Sequence, residues 1–193
     1  MLVLRDRVID TPIMSLQTGG MIAHTEKAII DPRSLAVVAF YCAGPMLDVD
    51  PAILHTSDIR ETGPMGFIVD NSDKIMSPED LVRLQEVIDL NFQLDNKPVI
   101  DDTGRKVGHV VDYAVDTDSF LIIKLHVRPG LLQAFQIAEV IIDRQQIVKV
   151  SDKHIVVKSP TIKVREPVKT THTGNPFRAA HPQPDMIEHV DNH

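Results

Sequence analysis

Few residues in this chain are of the types that carry out chemistry, and they lie apart in the sequence. Cys42 is the single cysteine, which excludes an intramolecular disulfide and a multi-cysteine zinc site. It ends an apolar run that contains Phe40 and Tyr41. A nucleophilic thiol needs partial exposure and a neighbouring basic group, so we expect Cys42 to be a buried structural side chain.

Two acidic turns offer oxygen ligands of the kind that a hard cation prefers: residues 101–104 and residues 116–118. Neither has the alternating acids and distal glutamate of an EF-hand loop. Aspartate is common in turns because its carboxylate accepts local backbone N–H bonds. We therefore expect both segments to serve as turns, with no metal bound.

The histidines and glycines give no stronger signal. His24 and His109 lack a carboxylate or second histidine at metal-ligand spacing, so we expect structural or solvent-facing roles, with a shared function left open. The histidines near the C-terminus are widely and irregularly spaced. No Gly-Lys-Ser/Thr follows any glycine pair, which argues against a phosphate loop. The sequence thus predicts no catalytic residue, no cofactor and no enzymatic activity.

Composition restricts the class of protein. The 193 residues are 43% hydrophobic, enough for a folded core, and carry a formal net charge of -7. This charge opposes sequence-independent binding to phosphate backbones, so nucleic acid is not expected as a direct partner. The longest apolar run, residues 35–42, is far shorter than the roughly 20 residues that span a bilayer. The first residues lack a signal-peptide core, so we expect a cytoplasmic protein without an integral membrane segment.

An internal repeat organises the chain. A shift of about 85 positions places Thr18-Gly19 on Thr103-Gly104 and His24 on His109, without a gap over two dozen residues. After an insertion of about three residues in the second copy, residues 58–60 align with residues 146–148. The sequence therefore predicts two copies of one fold.

Each copy has the pattern of short strands divided by turns. Residues 21–30 and 35–42 form one predicted hairpin, and residues 107–115 and 120–127 form the matching one. Between the copies, Ser77-Pro78 and the spacing of Leu81, Leu84 and Ile88 predict a short helix. Beyond residue 160 the hydrophobic pattern fades among prolines, which predicts disorder.

The second copy resembles a PRC-barrel domain. The resemblance rests on residues 102–112, which read Asp-Thr-Gly-Arg-Lys-Val-Gly-His-Val-Val-Asp, and on the later strands at 144–150 and 155–157. The first copy is the weaker match, since Ala23 stands where the second copy has Gly108. Members of this family include the C-terminal domain of the ribosome maturation factor RimM and the cytoplasmic domain of the photosynthetic reaction-centre H subunit.

The resemblance implies an all-β fold of two tandem small antiparallel β-barrels. The expected organisation is a first barrel over residues 1–76, a helical linker over 77–92, a second barrel over 93–160, and a disordered tail over 161–193. The family implies binding rather than catalysis. RimM itself is not expected, because both halves here resemble the same barrel, and an H-subunit role is disfavoured, because the sequence offers no membrane helix.

In strand 35–42 the residues on both faces are apolar, so we expect both faces to be packed against other parts of the protein or a partner. We expect an interface, either between the two barrels or with a partner, lined by Leu35, Val37, Tyr41, Phe120 and Ile122. Ordinary core filling is the alternative.

The sequence favours a non-catalytic adaptor or assembly module that binds a protein partner, in one variant as a homodimer. A ribosome-associated maturation factor and a small-ligand or enzymatic cleft between the barrels remain the alternatives.

Overall fold

The structure, a computed structural model, describes residues 1–130 and 139–159. Its strands form two seven-stranded sheets. The strands of the N-terminal part are β1 (Leu2–Leu4), β2 (Pro12–Ser15), β3 (Met21–Asp31), β4 (Ala36–Ala43), β5 (Ala52–His55), β6 (Glu61–Gly63), β7 (Gly66–Val69) and β8 (Ile75–Met76). Those of the C-terminal part are β9 (Pro98–Asp101), β10 (Lys106–Asp116), β11 (Ile122–Arg128), β12 (Val140–Asp143), β13 (Ile147–Val150) and β14 (Ile155–Val157).

Six strands of each sheet follow the same order, and β8 of the first sheet and β1 of the second are additional. The first sheet, here called the N-terminal half, runs β6-β7-β2-β3-β4-β5-β8, and the second, the C-terminal half, runs β13-β14-β9-β10-β11-β12. The irregularities also match: β3 shifts register between Thr25 and Lys27, and β10 shifts between Val110 and Asp112. Bulges are positioned features that bend a strand, so their recurrence indicates two sheets bent in the same way.

The pairing differs from the predicted antiparallel barrels in one respect. Strands β2 and β7 pair in parallel, with Ile13 opposite Phe67, and β9 and β14 pair in parallel, with Val99 opposite Ile155. Over the described residues, neither sheet closes into a hydrogen-bonded barrel. The fold is therefore all-β with mixed sheets, and the description as two closed antiparallel barrels is corrected to that extent. Hairpin signals in the sequence report neighbouring strands and leave this distant parallel pairing unspecified.

A short helix lies within the segment predicted as a helical linker. Residues Pro78–Asp80 form a 3-10 turn with Ser77 at its N-cap, and helix α1 covers Val82–Asp89. Leu84 and Val87 on its inner face are buried. They pack with Ile29, Ala39 and Ile53 on the outer side of the first sheet. In the part of the chain that the structure describes, no helix has the length and apolar composition needed to cross a membrane.

One hydrophobic core joins the two halves. Its members include Phe40, Leu54 and Phe67 from the first sheet and Leu125 and Ile155 from the second. Strand β4 thus has apolar cover on both sides, because this core lies against one face and helix α1 against the other. This arrangement accounts for the apolar residues on both parities of that strand.

The first strand lies with the other half. Although residues 1–76 were predicted as one unit, β1 pairs with β10, with Leu2 opposite Asp116 and Leu4 opposite Ala114. A three-residue strand carries too little pattern to name its distant partner. The tail predicted to be disordered, residues 161–193, lies outside the described residues.

Candidate functional site

The predicted interface residues lie for the most part where the two halves meet. The Val37 amide donates to the Phe120 carbonyl at 2.9 Å, and the Ile122 amide donates to the Leu35 carbonyl at 3.1 Å. All four side chains are buried. We call this contact, residues 35–37 with residues 120–122, the seam. Its backbone bonds join the turns that follow β3 and β10.

Aromatic packing extends the seam into the core. The ring of Phe120 lies 6.1 Å from that of Phe40 and 5.8 Å from that of Phe67, both in edge-on arrangements. Phe40 and Phe67 are themselves 5.3 Å apart. Such tilted and edge-to-face pairs add stabilisation beyond simple area burial. Phe120 therefore anchors the C-terminal half in the core of the N-terminal half.

Arg144 adds a charged contact that the sequence reading did not single out. Its guanidinium donates to the carbonyl oxygens of Ser34 at 2.5 Å, Leu35 at 2.9 Å and Ile122 at 3.2 Å. Hydrogen bonds from a charged donor are stronger than neutral ones. Since the Arg144 side chain spans carbonyls of both halves, it ties the seam from one side. Only the chain fold brings residue 144 to residue 34, so no local sequence signal could have found it.

Tyr41 lies apart from the seam. It is partly buried and packs against the cluster formed by Ile29, Ala39 and helix α1. Strand β4 pairs with β3 along its length, with Val37 opposite Ile30 at one end and Tyr41 opposite Lys27 towards the other. The predicted set of five residues is thus divided between two surfaces.

Cys42 is buried, and the two acidic turns are held by different contacts. Local donors hold the first turn, whereas the amino group of Met1 donates to Asp116 and Asp118 of the second, at 3.0 Å each. The Cys42 thiol is buried, and burial raises its pKa to about 12, which keeps it protonated at neutral pH. Asp101 accepts hydrogen bonds from the Thr103 hydroxyl at 2.6 Å, the Thr103 amide at 2.9 Å and the Arg105 amide at 2.9 Å. The bond from the Thr103 hydroxyl makes the largest contribution to holding the pKa of Asp101 well below its ordinary value, and the bonds from Arg105 and from the Thr103 amide add to it.

The two repeat histidines occupy matching strand positions. His24 lies opposite Pro12 and Ala43, and His109 lies opposite Pro98 and Arg128. Among residues 1–130 and 139–159, no group of three His, Cys, Asp or Glu side chains is placed to hold a metal ion.

A groove of about 550 Å³ lies between β1 with the turn after it and the hairpin of β6 and β7. One wall includes Met1, Val3 and Ile9, and the other includes Thr62 and Pro64. At the tip of the hairpin, Met65 is 67% exposed. Met65 does not line the groove itself but stands between two residues that do, Pro64 and Gly66. Methionine side chains adapt to varied apolar partners, so an exposed methionine beside a groove favours protein contact.

Strand edges border this groove. In the described sheets β1 pairs with β10 alone, and β6 pairs with β7 alone. An edge strand presents backbone N–H and C=O groups that an extended segment of another chain can pair with. The groove thus combines a mainly apolar surface, which Asp6, Arg7 and Asp10 also line, with residues of two edge strands.

The buried side chain of Thr25 holds the segment that contains the groove-lining residues Asp10 and Thr11. This side chain is fully buried, and its hydroxyl donates to the Val8 carbonyl at 2.8 Å and accepts from the Thr11 amide at 3.0 Å. The backbone of Thr25 bonds the amide of Asp10 and the carbonyl of Thr11 as well. These bonds fix the irregular chain between β1 and β2, so the groove is formed in advance of any partner.

Gly66 allows the hairpin of β6 and β7 to lie directly against β2. A Cβ atom built on it would lie 2.1 Å from the Pro12 carbonyl oxygen, and its φ of +110° is open to glycine alone. The hairpin therefore approaches β2 as closely as backbone contact allows. This close approach holds the hairpin against β2.

The comparison with protein families identifies the domain type of the C-terminal half. Residues 91–163 match the model of the PRC-barrel domain, and this part of the chain is a PRC-barrel domain, containing β9 to β14. That assignment indicates a protein-interaction or assembly module. A search of the curated proteins finds no match to this chain.

Proposed function

We propose that this chain is a non-catalytic, cytoplasmic adaptor that binds a partner protein in the groove between β1 and the hairpin of β6 and β7. The observation that carries the proposal is the combination found there: a preformed apolar groove bordered by two strand edges. The PRC-barrel assignment of residues 91–163 supports the same general role.

We further propose that the N-terminal half is a second unit of the PRC-barrel type. The equal strand order of the two sheets, their matching bulges and their matching parallel pairs support this relation. The two units together form the groove, because β1 belongs to the sheet of the C-terminal half while β6 and β7 belong to that of the N-terminal half.

The partner contributes an extended apolar segment. Such a segment adds its backbone to a strand edge and places alternate side chains on the groove floor. The exposed apolar side chain of Met65 then becomes buried against it. A segment of this kind needs no pocket for a charged or cofactor-like group.

The groove is tested with the full-length protein as bait in a lysate of its source organism. We expect Thr62→Arg, which fills the groove, and Met65→Asp, which places a charge beside it at the tip of the hairpin, to reduce the recovery of a specific bound protein about tenfold or more, the equivalent of 1.4 kcal/mol of binding free energy. Met65 is exposed, so its replacement leaves the core intact.

Met46→Asp is the matched control, since Met46 is 56% exposed and lies outside the groove. It should recover the same protein as the wild type. Equal recovery by the wild type and all three variants would show that the partner binds elsewhere, and the groove proposal would then be abandoned.

A further inference from the structure

The seam has a two-fold arrangement of hydrogen bonds. Ala36 and Leu121 face each other as an antiparallel bridge, and the residues on either side of this pair exchange their backbone bonds. The amide after Ala36 donates to the carbonyl before Leu121, and the amide after Leu121 donates to the carbonyl before Ala36. A local two-fold axis passes through any antiparallel pair of this type.

Here the local axis also relates equivalent residues of the two sheets. The repeat of about 85 positions that superposes the two sequences places Ala36 on Leu121 and Leu35 on Phe120. Leu35 has a φ of 46° and Phe120 a φ of 54°, an uncommon left-handed conformation for both residues. The two turns that meet at the seam therefore have the same backbone shape.

The side chains of these turns agree as well. Ser34 donates to Asp31 at 3.2 Å in one turn, and Ser119 donates to Asp116 at 2.7 Å in the other. The same positions thus carry the same turn-closing bond. Because each turn is bound by its own counterpart, the seam is self-complementary.

The segment that precedes each sheet in the chain contacts the opposite half. Strand β1, ahead of β2, pairs with β10 of the other half. The segment ahead of β9, with Val87, Ile88 and Phe92, packs beside residues 27–30 of β3. Each half therefore receives the leading segment of the other, as in a two-fold dimer with exchanged arms.

Two side chains break the symmetry. Phe120 enters the ring pair of Phe40 and Phe67, whereas the equivalent Leu35 is aliphatic. Arg144 binds three carbonyls, whereas Thr56 at the matching place after β5 donates within its own half, to Val38. These differences favour pairing of an N-terminal with a C-terminal half over pairing of two identical halves.

We propose that the seam is an isologous docking surface for a second unit of this fold. Within one chain the other half occupies it, and in a pair of chains each N-terminal half docks on the C-terminal half of its partner. The inference rests on the proposal that the N-terminal half is a second unit of the PRC-barrel type, and it is independent of what the groove binds.

The test mixes two full-length variants, both carrying Cys42→Ala: one with Ala36→Cys and the other with Leu121→Cys. They are unfolded, refolded together at low and at high protein concentration, and oxidised. A 36–121 disulfide between chains forms when halves exchange, because opposed residues in such a bridge lie within disulfide range. Peptide mass spectrometry identifies the linked pair.

The control mixture pairs Met46→Cys with Val148→Cys, in the same background, since both positions are exposed and away from the seam. We expect at least about fivefold more 36–121 dimer than control dimer, with a fraction that rises with concentration. Dimer at the control level at every concentration would overturn the proposal.

A chain with both Ala36→Cys and Leu121→Cys shows whether the cysteines are compatible with folding, because it should close the bond within the monomer. If a single variant loses its β-sheet circular dichroism, the exchange is measured on co-refolded wild-type chains by native mass spectrometry. Absence of a dimer there would also overturn the inference. If the halves do not exchange but Met65→Asp still reduces partner recovery, this inference fails and the groove proposal stands. If the halves exchange but Met65→Asp has no effect, the groove proposal fails and this inference stands.

Discussion

At the scale of single residues, Asp101 is a carboxylate whose charge the fold stabilises directly. Its side chain is 3% exposed and receives the Arg105 guanidinium at 2.8 Å in addition to the bonds from Thr103. Gly104, with a φ of +85°, gives the turn between β9 and β10 the shape that brings these donors together. The first of the two predicted acidic turns is therefore held by its own backbone and side chains.

A pH prediction follows for Asp101. Because its pKa is lowered by folding from 3.8, its contribution to stability is present above that pH and is lost as the pH falls below about 4. We expect Asp101→Asn to melt several degrees below the wild type at pH 7, with the difference shrinking towards pH 2. Thermal melts by circular dichroism measure it.

Asp102→Asn serves as the control for this prediction. Asp102 accepts a bond from the exposed Ser159 hydroxyl, and it contributes no bond to the turn backbone among those formed by the described residues. Its replacement should leave the melting temperature nearly unchanged. A difference between wild type and Asp101→Asn that stayed constant from pH 7 to pH 2 would contradict the electrostatic explanation.

At the scale of elements, the turn between β12 and β13 does more than connect strands. Residues Arg144–Gln146 form a 3-10 turn after Asp143, and this placement directs Arg144 to the carbonyls of the opposite hairpin turn. One short turn of the C-terminal half therefore holds a turn of the N-terminal half. The Arg144 side chain links the two halves because it donates to three carbonyl oxygens.

We expect Arg144→Ala to lower the free energy of unfolding by about 2–4 kcal/mol, since it removes three charged hydrogen bonds and takes the side-chain donor from the Ser34 carbonyl, while the Leu35 carbonyl keeps its bond from the Ile122 amide. Urea denaturation at neutral pH measures the change. Arg60→Ala is the matched control: Arg60 is 65% exposed and pairs with Asp70 at the surface, so its loss should cost about 1 kcal/mol or less. Equal losses in the two variants would show that Arg144 stabilises the fold no more than a surface ion pair does.

The elements also show how far the sequence determines the fold. The repeat and the hairpins of β3 with β4 and of β10 with β11 follow from local periodicity and turn residues, and the apolar faces of Leu35, Val37, Phe120 and Ile122 were detectable as surfaces that need cover. The parallel pairing of β2 with β7 and the crossing of β1 to β10 depend on contacts between distant residues. Local patterns carry no register for such pairs, so neither the groove nor the role of Arg144 could be predicted.

At the scale of the whole molecule, two sheets of equal strand order share one core and are joined by the seam. A small sheet alone buries a limited share of its apolar surface, so docking on a like unit supplies the missing cover. The same docking places β1 opposite the hairpin of β6 and β7. Assembly of the halves is therefore what creates the proposed binding groove.

Hydrogen exchange of the seam amides tests this central claim most directly. In the native protein, the amides of Val37 and Ile122, which donate across the seam, should exchange only through global unfolding, with the same opening free energy as amides in the centres of both sheets. Seam amides that exchange much faster than the sheet centres would show that the halves separate without unfolding, and that they do not form one body.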